Sequence, residues 1–125
     1  MNDENVLDIV FDHLAAGDVA AALERLSPNA LIWHCFDRIA YDREGSAREW
    51  NAFVANFPER AFSDIRSQAT DTGFMRQHIM TVSTQSGKRL SWEVCVVVVM
   101  EGKLIKRLDE YIDRASSFDL TESPQ

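Results

Sequence analysis

The chain has 125 residues, 46% of them apolar and including three Trp and seven Phe, which suffices for one core, so residues 1–125 are read as a single domain. A net charge of −7 argues against nucleic acid and anionic membrane surfaces, both of which are gripped through a basic footprint. Cys35 and Cys95 lack CxxC spacing, which gives neither a zinc finger nor a disulfide framework, and both are expected as reduced thiols.

The opening "MNDENVLDIVFDHL" is acidic and amphipathic, unlike a signal peptide, and no apolar run approaches the ~18 residues of a membrane span; a cytoplasmic location is expected. Val6, Ile9, Val10, His13 and Leu14 recur at helical spacing behind Asn2 and Asp3, which predicts a first helix over 4–16 closed by Gly17. Asp18 caps a second, "VAAALERL", stopped by "SPN". A first strand follows over 30–36. Ser46 with Glu49 reads as a capping box for a third helix, "AREWNAFVANF", ended by Pro58. From Phe62 the period changes to two: "FSDIRSQATDT", "FMRQHIMTVST", "KRLSWEVCVVVVM" and "KLIKRLDEYID" read as an antiparallel meander. The core is thus expected over about 4–113, with 114–125 a loose tail save for a Phe118 anchor. Three helices around one strand and then four long strands make an α+β fold with the helices on one sheet face.

Hairpin arithmetic assigns the faces. With "EG" as a two-residue turn, Met100 faces Lys103, so Cys95 meets Leu108 and Glu93 meets Glu110. With "SG" as the preceding turn, His78 meets Cys95 and Arg76 meets Val97. One face then carries Arg76, His78, Glu93, Cys95 and Glu110, and the other a stripe of Ile79, Trp92, Val94, Val96, Val98, Ile105 and Tyr111 that must be covered. A loop one residue longer or shorter exchanges the faces of one strand.

This order of elements resembles the nuclear transport factor 2-like superfamily, which includes SnoaL-like polyketide cyclases, steroid Δ-isomerases, limonene-epoxide hydrolases and scytalone dehydratases. The similarity spans about 4–113 and is carried most specifically by "LAAGDVAAALERLSPNALI" and "EGKLIKRLDEYID". It implies a cone: a curved, mainly antiparallel sheet with the three helices on its concave face, a pocket at the open end, and a convex face that dimerises. Aligned without a gap, His34 falls where the isomerases keep a general-base Asp and Cys95 near their oxyanion-hole acid. Glu110 falls where the epoxide hydrolases keep a water-activating Asp, with Arg76 and His78 near their Arg-x-Asp pair. Val10 stands near the isomerases' oxyanion Tyr, and Ile32 and His34 replace the hydrolases' Tyr-x-Asn, so no single activity transfers whole.

The resemblance implies cofactor-independent proton transfer on a small, mostly apolar organic molecule, of lyase, isomerase or cyclase type. His34 is the expected base, His78 with Arg76 would polarise an oxygen, and Glu110 with Glu93 would share and relay a proton. Trp50, Phe53, Leu108, Cys95 and Val10 would wall the pocket. The rival is a non-catalytic ligand-binding or dimerisation module in which the histidines are satisfied core residues and Cys95 is packing. There is no metal-ligand spacing, phosphate loop or nucleophile elbow, and no cofactor is expected. Partners are expected to be the small molecule and a second copy of the chain, through the convex face.

Overall fold

The computed structural model describes residues 4–114, 117 and 118. Three helices, α1 (Val6–Ala16), α2 (Val19–Leu23) and α3 (Arg43–Asn56), accompany six strands: β1 (Leu26–His34), β2 (Ala40–Tyr41), β3 (Glu59–Ala69), β4 (Gly73–Ser83), β5 (Arg89–Glu101) and β6 (Leu104–Ile112). The Asn2 and Asp3 cap and the tail over 115, 116 and 119–125 lie outside the described residues. Asn5 caps α1 instead, its side chain accepting from Leu7 N–H, and Gly17 ends the helix at φ 82°. The capping box expected at Ser46 is overridden upstream: Asp42 accepts from Gly45 N–H, so α3 begins at Arg43 and Ser46 lies inside the helix. "SPN" is strand rather than breaker, because Pro28 sits near the start of β1.

The strands form one curved sheet in the order β2-β1-β6-β5-β4-β3, with β1 and β6 parallel and all other neighbours antiparallel. The inner face lies under the helices, where Val82, Trp92, Val94, Val96, Val98 and Leu108 join Val10, Phe11 and Leu14 of α1 and Trp50 of α3 in one core. Gly73 opens β4 because a Cβ there would lie 2.1 Å from the Val98 carbonyl oxygen.

Both hairpin registers differ from the expected ones. Between β4 and β5, Thr84 donates N–H to Lys88 O across a loop of Gln85, Ser86 and Gly87, with Gly87 left-handed at φ 88°. This three-residue loop replaces the two-residue turn and slips the ladder by one, so His78 faces Val94 and Arg76 faces Val96. Between β5 and β6 the turn is Gly102-Lys103, and a bulge follows at Lys106, so that Met100 pairs Ile105 while Val99 pairs Arg107. Glu110 therefore faces Val96, and Cys95 faces Tyr111. The expected Glu93–Glu110 pair does not exist: Glu93 points outward, its side chain 63% exposed. The Trp92, Val94, Val96, Val98 stripe is likewise not an outer surface but the floor of the core.

One guanidinium fastens the helices to the sheet. Arg60, near the start of β3, donates Nε–H to Leu14 O at 2.9 Å and Nη2–H to Ala15 O at 3.1 Å, and from Nη1 to Phe57 O and Val54 O. It thereby adds a charged donor to carbonyls at the C-terminal ends of both α1 and α3, where Leu14 O also accepts from Gly17 N–H. Arg60→Met should cost roughly 2–4 kcal/mol in urea unfolding, since hydrogen bonds to a charged donor contribute about 1.5–3 kcal/mol each and do not add fully. A loss below about 0.5 kcal/mol would show that water caps these carbonyls equally well.

Candidate functional site

A single row crosses the inner face. His34 on β1 pairs with Glu110 on β6, Glu110 with Val96 on β5, Val96 with Arg76 on β4, and Arg76 with Ser67 on β3. Its polar groups form two separate centres. At about 4.8 Å between strands, His34 and Arg76 stand three strand spacings apart with Val96 between them. The five residues expected to form one catalytic set are therefore divided: His34 with Glu110, Arg76 with His78, and Glu93 on the outer face.

At the first centre His34 is 9% exposed and its Nε2 lies 3.6 Å from Glu110 Oε1. Its Nδ1 is buried and has no hydrogen-bond partner among the described residues. Phe36 stacks on the imidazole at 5.0 Å and Tyr41 meets it edge-on at 6.1 Å, while the Arg114 guanidinium covers Phe36 at 4.4 Å. Burial pushes the Glu110 carboxyl above its ordinary range, and the charges of His34 and Arg114 pull it back. Tyr41 donates its hydroxyl to Asp37 at 3.0 Å. That bond first, then burial and Glu49, push the phenol up to about 12, so it stays protonated. At 3.6 Å the His34–Glu110 contact is a charge pairing rather than a hydrogen bond, and Nδ1, buried against an aromatic wall, is the ring nitrogen left to act as a base.

The second centre is closed on itself. Arg76, 1% exposed, donates Nη1–H to Asp8 at 2.9 Å and Nε–H to His78 Nδ1 at 3.0 Å. Ser67 donates its hydroxyl to the same Asp8 oxygen. Burial lowers the Arg76 pKa, while Asp8 and Asp12 raise it. Phe11 and Phe62 hold the His78 ring edge-on at 4.6 and 4.9 Å, and the Arg76 guanidinium covers Phe11. His78 thus carries its proton on Nε2, which is buried and unpartnered among the described residues, as is Arg76 Nη2.

Of the expected pocket residues, Val10, Trp50 and Leu108 are core and Phe53 packs against them, whereas Cys95 lies on the outer face. Two surface grooves open elsewhere. One of about 420 Å³ runs over the outer face past Cys35, Tyr111, Cys95, Gln77 and Arg66; another of about 830 Å³ lies between the start of α3 and Leu26, Pro28 and Leu104. No group of three metal-ligating side chains occurs among the described residues. No helix among them is long and apolar enough to cross a membrane. Sequence reasoning missed Asp8, Phe36, Tyr41 and Asp37. Helical spacing could have found Asp8, which lies on the α1 flank nearest β4; the aromatic pair required knowing that β2 exists.

A family model for the SnoaL-like domain matches residues 8–108. No curated protein sequence matches the chain. Among solved structures, an isomerase candidate from Bacillus subtilis superposes with a TM-score of 0.78 at 12% identity, covering 88% of this chain and 85% of its own. A polyketide-cyclase candidate from Pseudomonas putida gives 0.77 at 14% identity, with 88% and 90% covered. A nuclear transport factor 2-like protein from Anabaena variabilis gives 0.76 at 18% identity, with 86% and 87% covered. At these identities the likeness is one of fold.

Burial, then the Arg76 charge, depresses His78 to about 3 from 6.5, so the unfolded chain binds a proton there that the folded chain does not. The contribution is complete above about 6.5 and is lost as pH falls through about 3, with a slope of up to ~1.4 kcal/mol per pH unit between. Glu110, shifted upward, acts in the opposite sense: its contribution is present below the ordinary carboxylate range and is lost as pH rises through its own midpoint. His78→Gln should flatten the rise of stability between pH 4 and 6 by about one proton equivalent. Nitrogen NMR at pH 5 should show a neutral Nε2–H imidazole; a midpoint between 6 and 7 for His78 would contradict the assignment.

Proposed function

Since the chain belongs to the SnoaL-like domain family, we propose that it binds a small, mostly apolar organic molecule at the inner end of β1 and moves a proton there without a cofactor. The observation that carries this reading is His34: nine-tenths buried, with Nε2 3.6 Å from Glu110 Oε1, flanked by Phe36 and Tyr41, and with Nδ1 unpartnered among the described residues. Nδ1 removes a proton next to a carbonyl, Glu110 stabilises the imidazolium, and the same nitrogen returns the proton elsewhere on the ligand or delivers it to a leaving hydroxyl. Isomerase and lyase outcomes differ only in that last step; in a cyclase outcome the carbanion first attacks a second carbonyl of the same ligand, forming the C–C bond, and the proton goes to the resulting alkoxide. The polyketide-cyclase and isomerase candidates among the structural neighbours support this class of chemistry. His78 and Arg76 act from a distance, their unpartnered Nε2–H and Nη2–H serving as donors toward the interior. The setting is cytoplasmic, in keeping with two free thiols.

A second reading, a binding or dimerisation module, is favoured by the closed Asp8–Arg76–His78 cluster and by a core that already contains Val10, Trp50 and Trp92. Exchange of α-protons discriminates between the two. In D2O, wild type should accelerate deuterium uptake by a cyclic ketone such as 2-tetralone, followed by proton NMR. His34→Ala should lose about 10²- to 10⁴-fold of that rate with little change in thermal midpoint. Equal rates for the two proteins favour the module.

The homodimer belongs to this proposal on revised grounds. The outer face carries the exposed Leu31 and Tyr111 with the partly buried Trp33, Val97 and Val99 beside them, and the Trp33 and Tyr111 rings lie 5.4 Å apart. Tyr111→Arg should convert a dimer to monomers in sedimentation at micromolar concentration; wild type sedimenting as a monomer would end the idea.

A further inference from the structure

The β1 ladder stops at His34, where Arg38 N–H turns back to the His34 carbonyl, yet β6 continues to Ile112. Both main-chain polar groups of Ile112 are turned toward the vacated side of the ladder, and a side chain meets them. Cys35 Sγ donates to Ile112 O at 3.3 Å and accepts from Ile112 N–H at 3.2 Å. The Cys35 N–H donates to Glu110 O at 3.0 Å. One residue thus grips β6 on both sides of Tyr111, with the preceding residue, His34, registered opposite Glu110. A thiol suits this place because it is both donor and acceptor, weakly directional, and long enough to span the gap; alanine or valine would leave a buried N–H and C=O unpaired.

We infer that Cys35 is a positioning residue, holding the end of β6 so that Glu110 stays within reach of the His34 imidazole. It touches neither side chain of the pair and acts through the backbone that carries them. The inference rests on reading His34 and Glu110 as the functional pair, and it is independent of which ligand they serve. Alternation places the thiol on the groove side of the sheet and the imidazole on the core side, so a change at the outer surface reaches the pair through a single peptide unit.

The test reads the coupling between the two side chains and uses no substrate. In the full-length protein, carbon NMR of the Glu110 carboxyl should show its midpoint rising on His34→Gln, because the imidazolium beside it holds it down. In a Cys35→Ala background the same substitution should move the Glu110 midpoint by less than half as much, and Cys35→Ser should restore most of the effect. A response of the same size in Cys35→Ala and wild type overturns the inference, and does so without touching the proton-transfer reading, which is judged by ketone exchange. Should Cys35→Ala fail to fold, wild type decides: the Ile112 amide must exchange with D2O as slowly as that of Leu108, because Sγ is its acceptor. Exchange of Ile112 at the rate of a free amide overturns the inference equally.

Discussion

Strand β5 decides what the interior of this protein contains. It pairs with β4 from Arg89 to Val99 and with β6 from Val94 to Glu101, and each ladder is set by a small local device: the Gln85-Ser86-Gly87 loop and the bulge at Lys106. Because side chains alternate, those two devices send Trp92, Val94, Val96 and Val98 toward the helices and Glu93, Cys95, Val97 and Val99 away from them. A slip of one residue in either ladder would put Arg76 and His78, or Leu108 and Glu110, on the wrong side of the sheet. Helix packing then follows, since α1 and α3 lie only where an apolar floor exists.

The same registers create the electrostatic character of the inner face. Val96 separates a carboxylate–imidazole pair from a guanidinium–imidazole pair, and burial acts on the two in opposite directions. At Glu110 it favours the protonated acid; at His78 it favours the unprotonated base. Arg76 keeps its charge because α1 supplies Asp8, whose own side chain is 46% exposed, so the ion pair reaches water at one end only. That makes the Arg76 centre a tie between α1 and the sheet, although it, like the His34 centre, keeps buried nitrogens without a partner among the described residues.

Much of this was legible in the sequence. Period changes placed the helices and the meander, Gly17 and Asp18 marked their turn, and the "AGD" and "GK" segments assigned His34 and Glu110 to one expected site through a resemblance rather than through composition; that their strands are neighbours comes from the structure. What the sequence hid was geometry set by single residues. "TQSGK" is compatible with a two- or a three-residue loop, and a lysine bulge leaves no mark in a pattern of alternating apolar residues. Ser46 and Glu49 form a capping box on paper, yet Asp42 lies one turn earlier and caps Gly45 N–H, so the helix has begun before Ser46. β2 is two residues long, too short for any periodicity, and with it the place of Tyr41 beside His34 went unread.

Arg60 has a dynamic consequence beyond its hydrogen bonds. One planar cation is shared by the last turns of α1 and α3 and is anchored near the start of β3, so neither helix end can fray without releasing the other from the same donor. Two segments about forty residues apart in the chain are thereby joined into one cooperative opening unit, and their slowest motions share a common free energy. The end of the cone where they meet is then its least deformable part, which leaves excursions of the structure to the opposite ends of those helices, where Asp8 reaches for Arg76 and Tyr41 leads into α3.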